Sequence, residues 1–409
     1  MIIENSYKSI IKKSSLLIFI FLISLFYFQI DVNANVSEKV TLKEVYKDDF
    51  LIGVSLGSRD IKHYYKYPMR RDAAELEVVN REFNCITAEN LMKPQYICPH
   101  PGKYYFNAVD EVMRFAEKND HVVVGHVLVW HAMTASSFFE DNNGNLLSRN
   151  ALIKRMREYI HKVVGRYKGR IDYWDVVNEA VDLRTVIDED GKTIQEAFLR
   201  KSKWSEIIGD DFIELAFKFA QEADPDTELI YNDFTMNNSV KAQFVADMCT
   251  NIRKKGIRVD GIGMQAHWHL NYPSKNELRD VMSIFRKAKL KVHLTELDVG
   301  ILERPDVQQD ADIRRNLTSN PNLNPYTNNV PLHILERHGN KYVDIFEILL
   351  ENRDIVDRVT FWGANDGISW LNHWPIKGRT SHPLLFDREN KPKPAYRALI
   401  DLGVNFKRD

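Results

Sequence analysis

The sequence predicts a (β/α)8 barrel, and three observations carry that prediction. Eight short apolar runs alternate with amphipathic, helix-like segments, the pattern of a parallel sheet assembled from strand–helix units. Polar and aromatic side chains gather at the carboxyl ends of these runs, whereas the residues before them are mostly Val, Ile, Leu and Ala. The first run leads into Gly53-Val54-Ser55-Leu56-Gly57-Ser58. That segment is not the G-x-G-x-x-G phosphate turn expected after the first strand of an open, doubly wound sheet, the competing architecture.

Taken in order, residues 1–34 stand outside the pattern. Lys8, Lys12 and Lys13 precede an apolar run over 16–30, and Val32-Asn33-Ala34 offers small residues for cleavage. The run is short for a membrane span, so it reads as an export signal, with a retained N-terminal anchor as the alternative. Residues 35–409 form a single barrel domain, expected to be secreted, periplasmic or held at the cell surface. A helical turn or two is expected over 40–46. The strand-like runs are 50–55, 84–88, 121–130, 171–177, 228–232, 261–267, 291–296 and 359–363. Helices are expected over 108–118, 149–164, 212–222, 240–254, 275–288 and 341–352, and a last one over 395–402 follows Pro392-Lys393-Pro394. Two long loops, 182–203 and 301–335, leave the strand ends on one face, where loops of such length are usually functional. No Pro/Gly/Ser-rich linker or internal repeat divides the body.

Composition narrows the function. The 409 residues are 44% hydrophobic and 28% charged, with a formal net charge of -1, so phosphate-driven binding to nucleic acid is not expected. Seven Trp and seventeen Tyr supply flat apolar faces that stack on sugar rings as well as filling cores. The three cysteines, Cys85, Cys98 and Cys249, show no metal-ligand spacing. Cys85 and Cys249 fall in apolar patterns and read as buried thiols; a Cys85–Cys98 bridge is the alternative. No cofactor follows from any motif.

Two strand ends carry the chemistry. The run over 171–177 ends in Asn178-Glu179, and that over 291–296 ends in Thr295-Glu296. One glutamate after one strand could simply cap a helix or pair with a surface lysine. Two in the same context point to a converging acid pair. Such a pair can split a glycosidic bond when one carboxyl is protonated and the other ionised. The other strand ends add groups able to bind hydroxyls or support a sugar face: Glu89-Asn90 with Lys93, His126 with Trp130, Gln265 with His267, Asp298, and Trp362 with Trp370. No Ser-His-Asp context, phosphate loop or metal cluster competes.

These motifs resemble glycoside hydrolase family 10. They are Trp-Asp-Val-Val-Asn-Glu-Ala from Trp174, Thr-Glu-Leu-Asp from Thr295, Gly-His-Val-Leu-Val-Trp-His from Gly125, Thr-Ala-Glu-Asn-Leu-Met-Lys from Thr87, Gly-Met-Gln-Ala-His from Gly263 and Phe-Trp-Gly-Ala-Asn-Asp from Phe361. Segments 383–387 and 391–396 resemble the family's closing part, and the likeness runs from about residue 42 to about 402. The resemblance implies an endo-1,4-β-xylanase on a (β/α)8 barrel that retains anomeric configuration. It implies Glu179 as acid/base, Glu296 as nucleophile and Asn178 on the sugar 2-hydroxyl. His267 would bond Glu296 and be oriented by Asp298. Gln265, His126, Trp130 and Lys93 would line the sugar site before the cleaved bond, and Glu89 and Asn90 the next one outward. Trp362 and Trp370 would crowd the space that a glucose hydroxymethyl needs. The implied partners are xylan or xylo-oligosaccharides, with no nucleic acid, no membrane for the mature domain, and a monomeric state.

The sequence departs from the family at Met133, where a Gln is usual, at Pro94, where a Trp is frequent, and in the longer loop 301–335. His131 and His269 read as supporting residues, Trp174 and Met264 as core, and Tyr231 and Asn232 as supports for Glu179. Two other readings remain open. One is another retaining β-1,4-glycanase, a cellulase or mixed-linkage glucanase, on the same barrel. The other is a xylan-binding protein without activity, against which the presence of both glutamates argues.

Overall fold

The computed structural model describes residues 40–57, 66, 68–303 and 321–407. The segment 1–34 assigned to export lies outside the described residues, as do positions 304–320 of the second long loop.

The described strands are β1 Leu51–Ser55, β2 Cys85–Thr87, β3 Val122–Trp130, β4 Tyr173–Asn178, β5 Val181–Ile187, β6 Thr193–Leu199, β7 Glu228–Asp233, β8 Gly261–Met264, β9 His267–His269, β10 Lys291–Gly300 and β11 Val356–Phe361. Eight of them close into a barrel in the order β11-β1-β2-β3-β4-β7-β8-β10, with β10 pairing back onto β11. Every pairing around the ring is parallel. Strands covered on both faces need apolar side chains at successive positions, and β3, β4 and β10 are buried at nearly every residue. The helices present one apolar stripe each. Helix Asn107–Lys118 buries Val109, Val112, Met113 and Ala116, and helix Lys275–Lys287 buries Leu278, Val281, Met282 and Phe285. Both sets follow the i, i+3, i+4, i+7 spacing of a helix lying against a sheet. Ser274 and Glu277 close the start of the second with reciprocal hydrogen bonds.

Several expectations need correction. The loop expected over 182–203 is mostly an antiparallel hairpin, β5 with β6, in register from Val181 opposite Leu199 to Ile187 opposite Thr193. Its turn is built by Asp188, whose Oδ1 accepts the N–H groups of Asp190 and Lys192, and by Gly191 at φ 77. The helix expected over 341–352 begins ten residues or so earlier, as Leu332–Glu351. The helix that the strand–helix alternation calls for between the first two strands, given no bounds from the sequence, is Ala73–Glu82, capped by the Asp72 carboxylate on the N–H of Ala74. The run over 261–267 divides into β8 and β9, because Ala266 takes φ 61 between them. All three cysteines are buried and free, so the Cys85–Cys98 bridge does not form.

Trp174 is fully buried, and its ring lies so close to β3 that a Cβ on Gly125 would stand 2.2 Å from it. Gly165, in helix Arg149–Arg166, has open space around the same position. Gly125→Ala is therefore expected to lower stability by about 1–3 kcal/mol through overpacking. Gly165→Ala is expected to raise it by about 0.5–1 kcal/mol through helix propensity. Denaturant titration of both variants checks the contrast; equal effects would contradict it.

Candidate active site

Glu179 follows β4 directly, and Glu296 sits within β10 toward its carboxyl end. Glu179 adopts φ 57, a left-handed conformation costing on the order of 1 kcal/mol or more for a residue with a Cβ. Three contacts hold it there. Its N–H donates to the carbonyl of Asn232 at 2.9 Å, its carbonyl accepts from Nε of Arg200 at 3.0 Å, and the next N–H, of Ala180, donates to the Tyr231 hydroxyl at 3.1 Å. Arg200 also pairs with Asp182 at 3.0 Å, which ties the two ends of the β5–β6 hairpin beneath the glutamate.

The two carboxylates share one set of amides. Glu179 accepts from Nε1 of Trp130 at 2.8 Å and from Nε2 of Gln265 at 2.7 Å. Glu296 accepts from Nδ2 of Asn232 at 3.0 Å and from Nε2 of His267 at 3.2 Å. Asn178 joins the halves, its Oδ1 accepting from Asn232 at 2.9 Å and from Gln265 at 3.3 Å. The Thr295 hydroxyl donates to Oδ1 of Asn232 at 2.6 Å and so fixes that amide's orientation.

His267 connects Glu296 to Asp298. Its Nδ1 donates to Oδ2 of Asp298 at 2.9 Å, and that oxygen also accepts from Nε1 of Trp370 at 2.8 Å. The pairing of β9 with β10 sets Asp298 opposite His267. Trp370 lies against the His267 ring at 4.8 Å and stacks on Trp374 at 4.8 Å. Trp362 meets His126 and His267 edge-on, at 5.7 Å and 6.3 Å. His126 donates through Nδ1 to Oδ2 of Asp175 at 2.8 Å. On the other flank, Lys93 donates to Oδ1 of Asn90 at 2.9 Å and lies 5.1 Å from the centre of the Trp130 ring, while Asn90 donates to Glu89 at 3.1 Å. Every site residue named from the sequence thus falls in one connected cluster around the two glutamates.

Charge follows from these contacts. Burial raises a carboxyl pKa, but at Glu296 it is outweighed by the His267 hydrogen bond and by His126, His267 and Lys93, so the net shift is downward and ionisation is favoured. Burial pulls against the charge on His267 too. The adjacent Asp298 charge and the hydrogen bonds to Asp298 and Glu296 overcome it and carry the pKa to about 9. Burial raises Glu89 despite Lys93, and lowers Lys93 despite Glu89, Glu296 and Glu179.

Asn232 was read from the sequence only as a support for Glu179, yet its amide touches Glu296 directly. Arg200, Asp175 and Trp374 were not singled out. Arg200 and Asp175 act through partners distant in sequence, Glu179 and His126, whereas Trp374 lies four residues past Trp370 and stacks on it. His269 donates through Nε2 to the Leu302 carbonyl, 3.0 Å away, and burial lowers His131 to about 4; neither is bonded to Glu179 or Glu296 among the described residues. Beside the hairpin, a pocket of about 270 Å³ is lined by Asp182, Gln195, Phe234, Asn237, Asn238 and Glu277, among others.

Residues 41–402 match the model for glycosyl hydrolase family 10. The chain is 38% identical over 362 residues to an endo-1,4-beta-xylanase A of Xylanibacter ruminicola, covering 88% of this chain and 93% of that protein. It is 36% identical over 362 residues to an endo-1,4-beta-xylanase of Geobacillus stearothermophilus, covering 88% and 98%. Among solved structures, a GH10 endoxylanase from a sugarcane soil metagenome superposes with a TM-score of 0.80 at 39% identity, covering 88% and 99%. A mutant structure in complex with xylotriose does so with a TM-score of 0.74 at 31% identity, covering 89% and 100%.

Because its folded pKa lies above the ordinary 6.5, protonated His267 stabilises the fold fully below pH 6.5, and that contribution is lost as pH rises through about 9. Ring-proton NMR is expected to show His267 titrating near 9. In Asp298→Asn the midpoint should fall by about one unit or more, and the alkaline limb of the rate profile should move down with it. A midpoint at the ordinary histidine value in the unmodified chain would contradict this assignment.

Proposed function

We infer that this chain, which belongs to glycosyl hydrolase family 10, is an endo-1,4-β-xylanase that cleaves internal β-1,4-xylosidic bonds of xylan with retention of configuration. The observation that supports the residue-level reading is the joint anchoring of Glu179 and Glu296 by a single run of amides at the carboxyl end of the barrel. In this reading Glu296 is the nucleophile and Glu179 the acid/base.

In the first step a carboxylate oxygen of Glu296 attacks the anomeric carbon while Glu179 gives its proton to the departing oxygen. A covalent glycosyl-enzyme results. In the second step Glu179 takes a proton from water, which attacks the same carbon and frees Glu296. Two inversions give net retention, and this geometry calls for carboxyl groups roughly 5–5.5 Å apart. The supports for the division of roles are electrostatic. Glu296 is favoured as an anion by His267, which a nucleophile requires. Its attack discharges the anion, and His267 remains held by Asp298 throughout.

The sugar-binding assignments follow the same cluster. Asn178 holds the 2-hydroxyl; Gln265, His126, Trp130 and Lys93 line the sugar site before the bond; Glu89 and Asn90 serve the next sugar outward. Trp362 and Trp370 close the space where a glucose hydroxymethyl would project, which favours xylose units. The pocket beside the hairpin offers room for the leaving part of the chain. The domain acts as a monomer after export to a secreted, periplasmic or cell-surface location, with xylan or its oligosaccharides as its partner and no nucleic acid or membrane. The basic and apolar pattern of residues 1–34 and the net charge of -1 support these last points.

Purified protein given xylan, cellulose and mixed-linkage glucan at matched concentration is expected to cleave xylan and leave the others largely intact. Comparable turnover on all three would favour a broader β-1,4-glycanase. The roles are tested with azide and an activated aryl xyloside. Glu179→Ala is expected to yield the β-azide from the accumulated intermediate, and Glu296→Ala the α-azide, formed in the space its side chain vacates. Swapped anomers would reverse the two assignments.

A further inference from the structure

At the opposite end of the barrel, the strand beginnings bring Glu228 of β7, His293 of β10 and Asp357 of β11 together, with a ligating atom of each within 4.8 Å of the others. His293 is fully buried, and neither of its ring nitrogens has a hydrogen-bond partner among the described residues. Oε2 of Glu228 is also buried and unpartnered. Buried polar atoms are nearly always satisfied, so an unpartnered imidazole nitrogen beside the unpartnered Glu228 carboxylate oxygen calls for a group between them. The backbone makes room for this arrangement. A Cβ on Gly261, on the strand between β7 and β10, would stand 2.8 Å from Nε2 of His293, so only glycine lets the ring lie across β8. Tyr173 packs on the ring at 5.3 Å from the other side.

We propose that Glu228, His293 and Asp357 bind a divalent first-row metal ion, zinc or a close relative, as a structural site on the floor of the barrel. One imidazole nitrogen and two carboxylates suit such an ion in ligand type, and the two carboxylates balance its charge. Two ligand atoms each about 2.0–2.2 Å from a metal lie at most about 4.4 Å apart, so small side-chain rotations bring the three into place. Glu228 and Asp357 are partly exposed and give the ion a way in. Arg358, the buried cross-strand neighbour of His293 on β11, and Lys291 bring positive charge to this end of the barrel, which the two carboxylates must offset together with the ion's. Lys291 pairs with one oxygen of Asp357 from a half-exposed position, and Arg358 donates to Thr360. The site shares strand β10 with Glu296, three residues further along. It is separate from the catalytic end, and its test does not depend on the xylanase reading.

Full-length, untagged protein stripped with EDTA is to be melted with and without zinc chloride in slight excess, and titrated with Co²⁺ as a spectroscopic substitute. Zinc is expected to raise Tm by about 3–6 °C. Co²⁺ is expected to give visible absorption bands saturating at one ion per chain. Both effects should vanish in Glu228→Gln and in Asp357→Asn, whose partly exposed sites tolerate the change and whose folding is checked by circular dichroism. An unchanged Tm and no Co²⁺ bands in the wild type would overturn the proposal and leave an ordered water as the group that satisfies His293. Metal responses persisting in both variants would overturn it as well.

Discussion

Asp298 is the constraint on which the active end of this barrel depends. It is fully buried, and a single one of its oxygens accepts from both His267 and Trp370. That one carboxylate therefore sets the imidazole against Glu296 and fixes the Trp370 indole beside it. Its position is itself a product of the parallel register between β9 and β10. Removing the charge would leave His267 free to lose its proton and Trp370 without its anchor, so the ring beside Glu296 and the indole depend on the same atom. A buried carboxylate with charge-assisted donors is strongly oriented, because any rotation sacrifices bonds made in a low-dielectric surrounding.

The two glutamates are held by different kinds of force. Glu296 lies within β10 where its register with β11 shifts, and around this buried carboxylate stand His267, His126, Lys93 and the Asn232 amide. Glu179 lies just past a strand, in a left-handed conformation that the surrounding hydrogen bonds must maintain. The hairpin β5–β6 supplies part of that support through Arg200, which reaches the backbone carbonyl of Glu179 in one hydrogen bond. Strain at a catalytic residue is sustainable only where neighbours over-determine it. Here Asn232 does so twice, through its carbonyl to Glu179 and its side chain to Glu296.

Much of this architecture was legible in the chain because of how a closed parallel barrel distributes polarity. Strands covered on both faces must be continuous apolar runs, so Tyr173–Asn178 and Lys291–Gly300 stood out, and the polar residues ending them marked the open rim. The hairpin was missed although its signals were present: β-branched residues at Val181, Thr185, Val186, Thr193 and Ile194 around Asp190-Gly191. Gly339 and Asn340 broke the helical pattern before Lys341, which hid the first turns of Leu332–Glu351. The contact of Asn232 with Glu296 joins residues 64 positions apart across the barrel mouth. No local pattern encodes it; it emerges only once the ring closes.

Glu296, kept ionised by His267 in the grip of Asp298, is the group proposed to form the covalent bond to the sugar. The most direct test is to trap that bond with a 2-deoxy-2-fluoro xylobioside bearing an activated leaving group, digest the protein and locate the label by mass spectrometry. One sugar per chain is expected, on the peptide containing Glu296, with loss of activity in step with labelling. Label on Glu179, or inactivation with no covalent sugar at all, would contradict it.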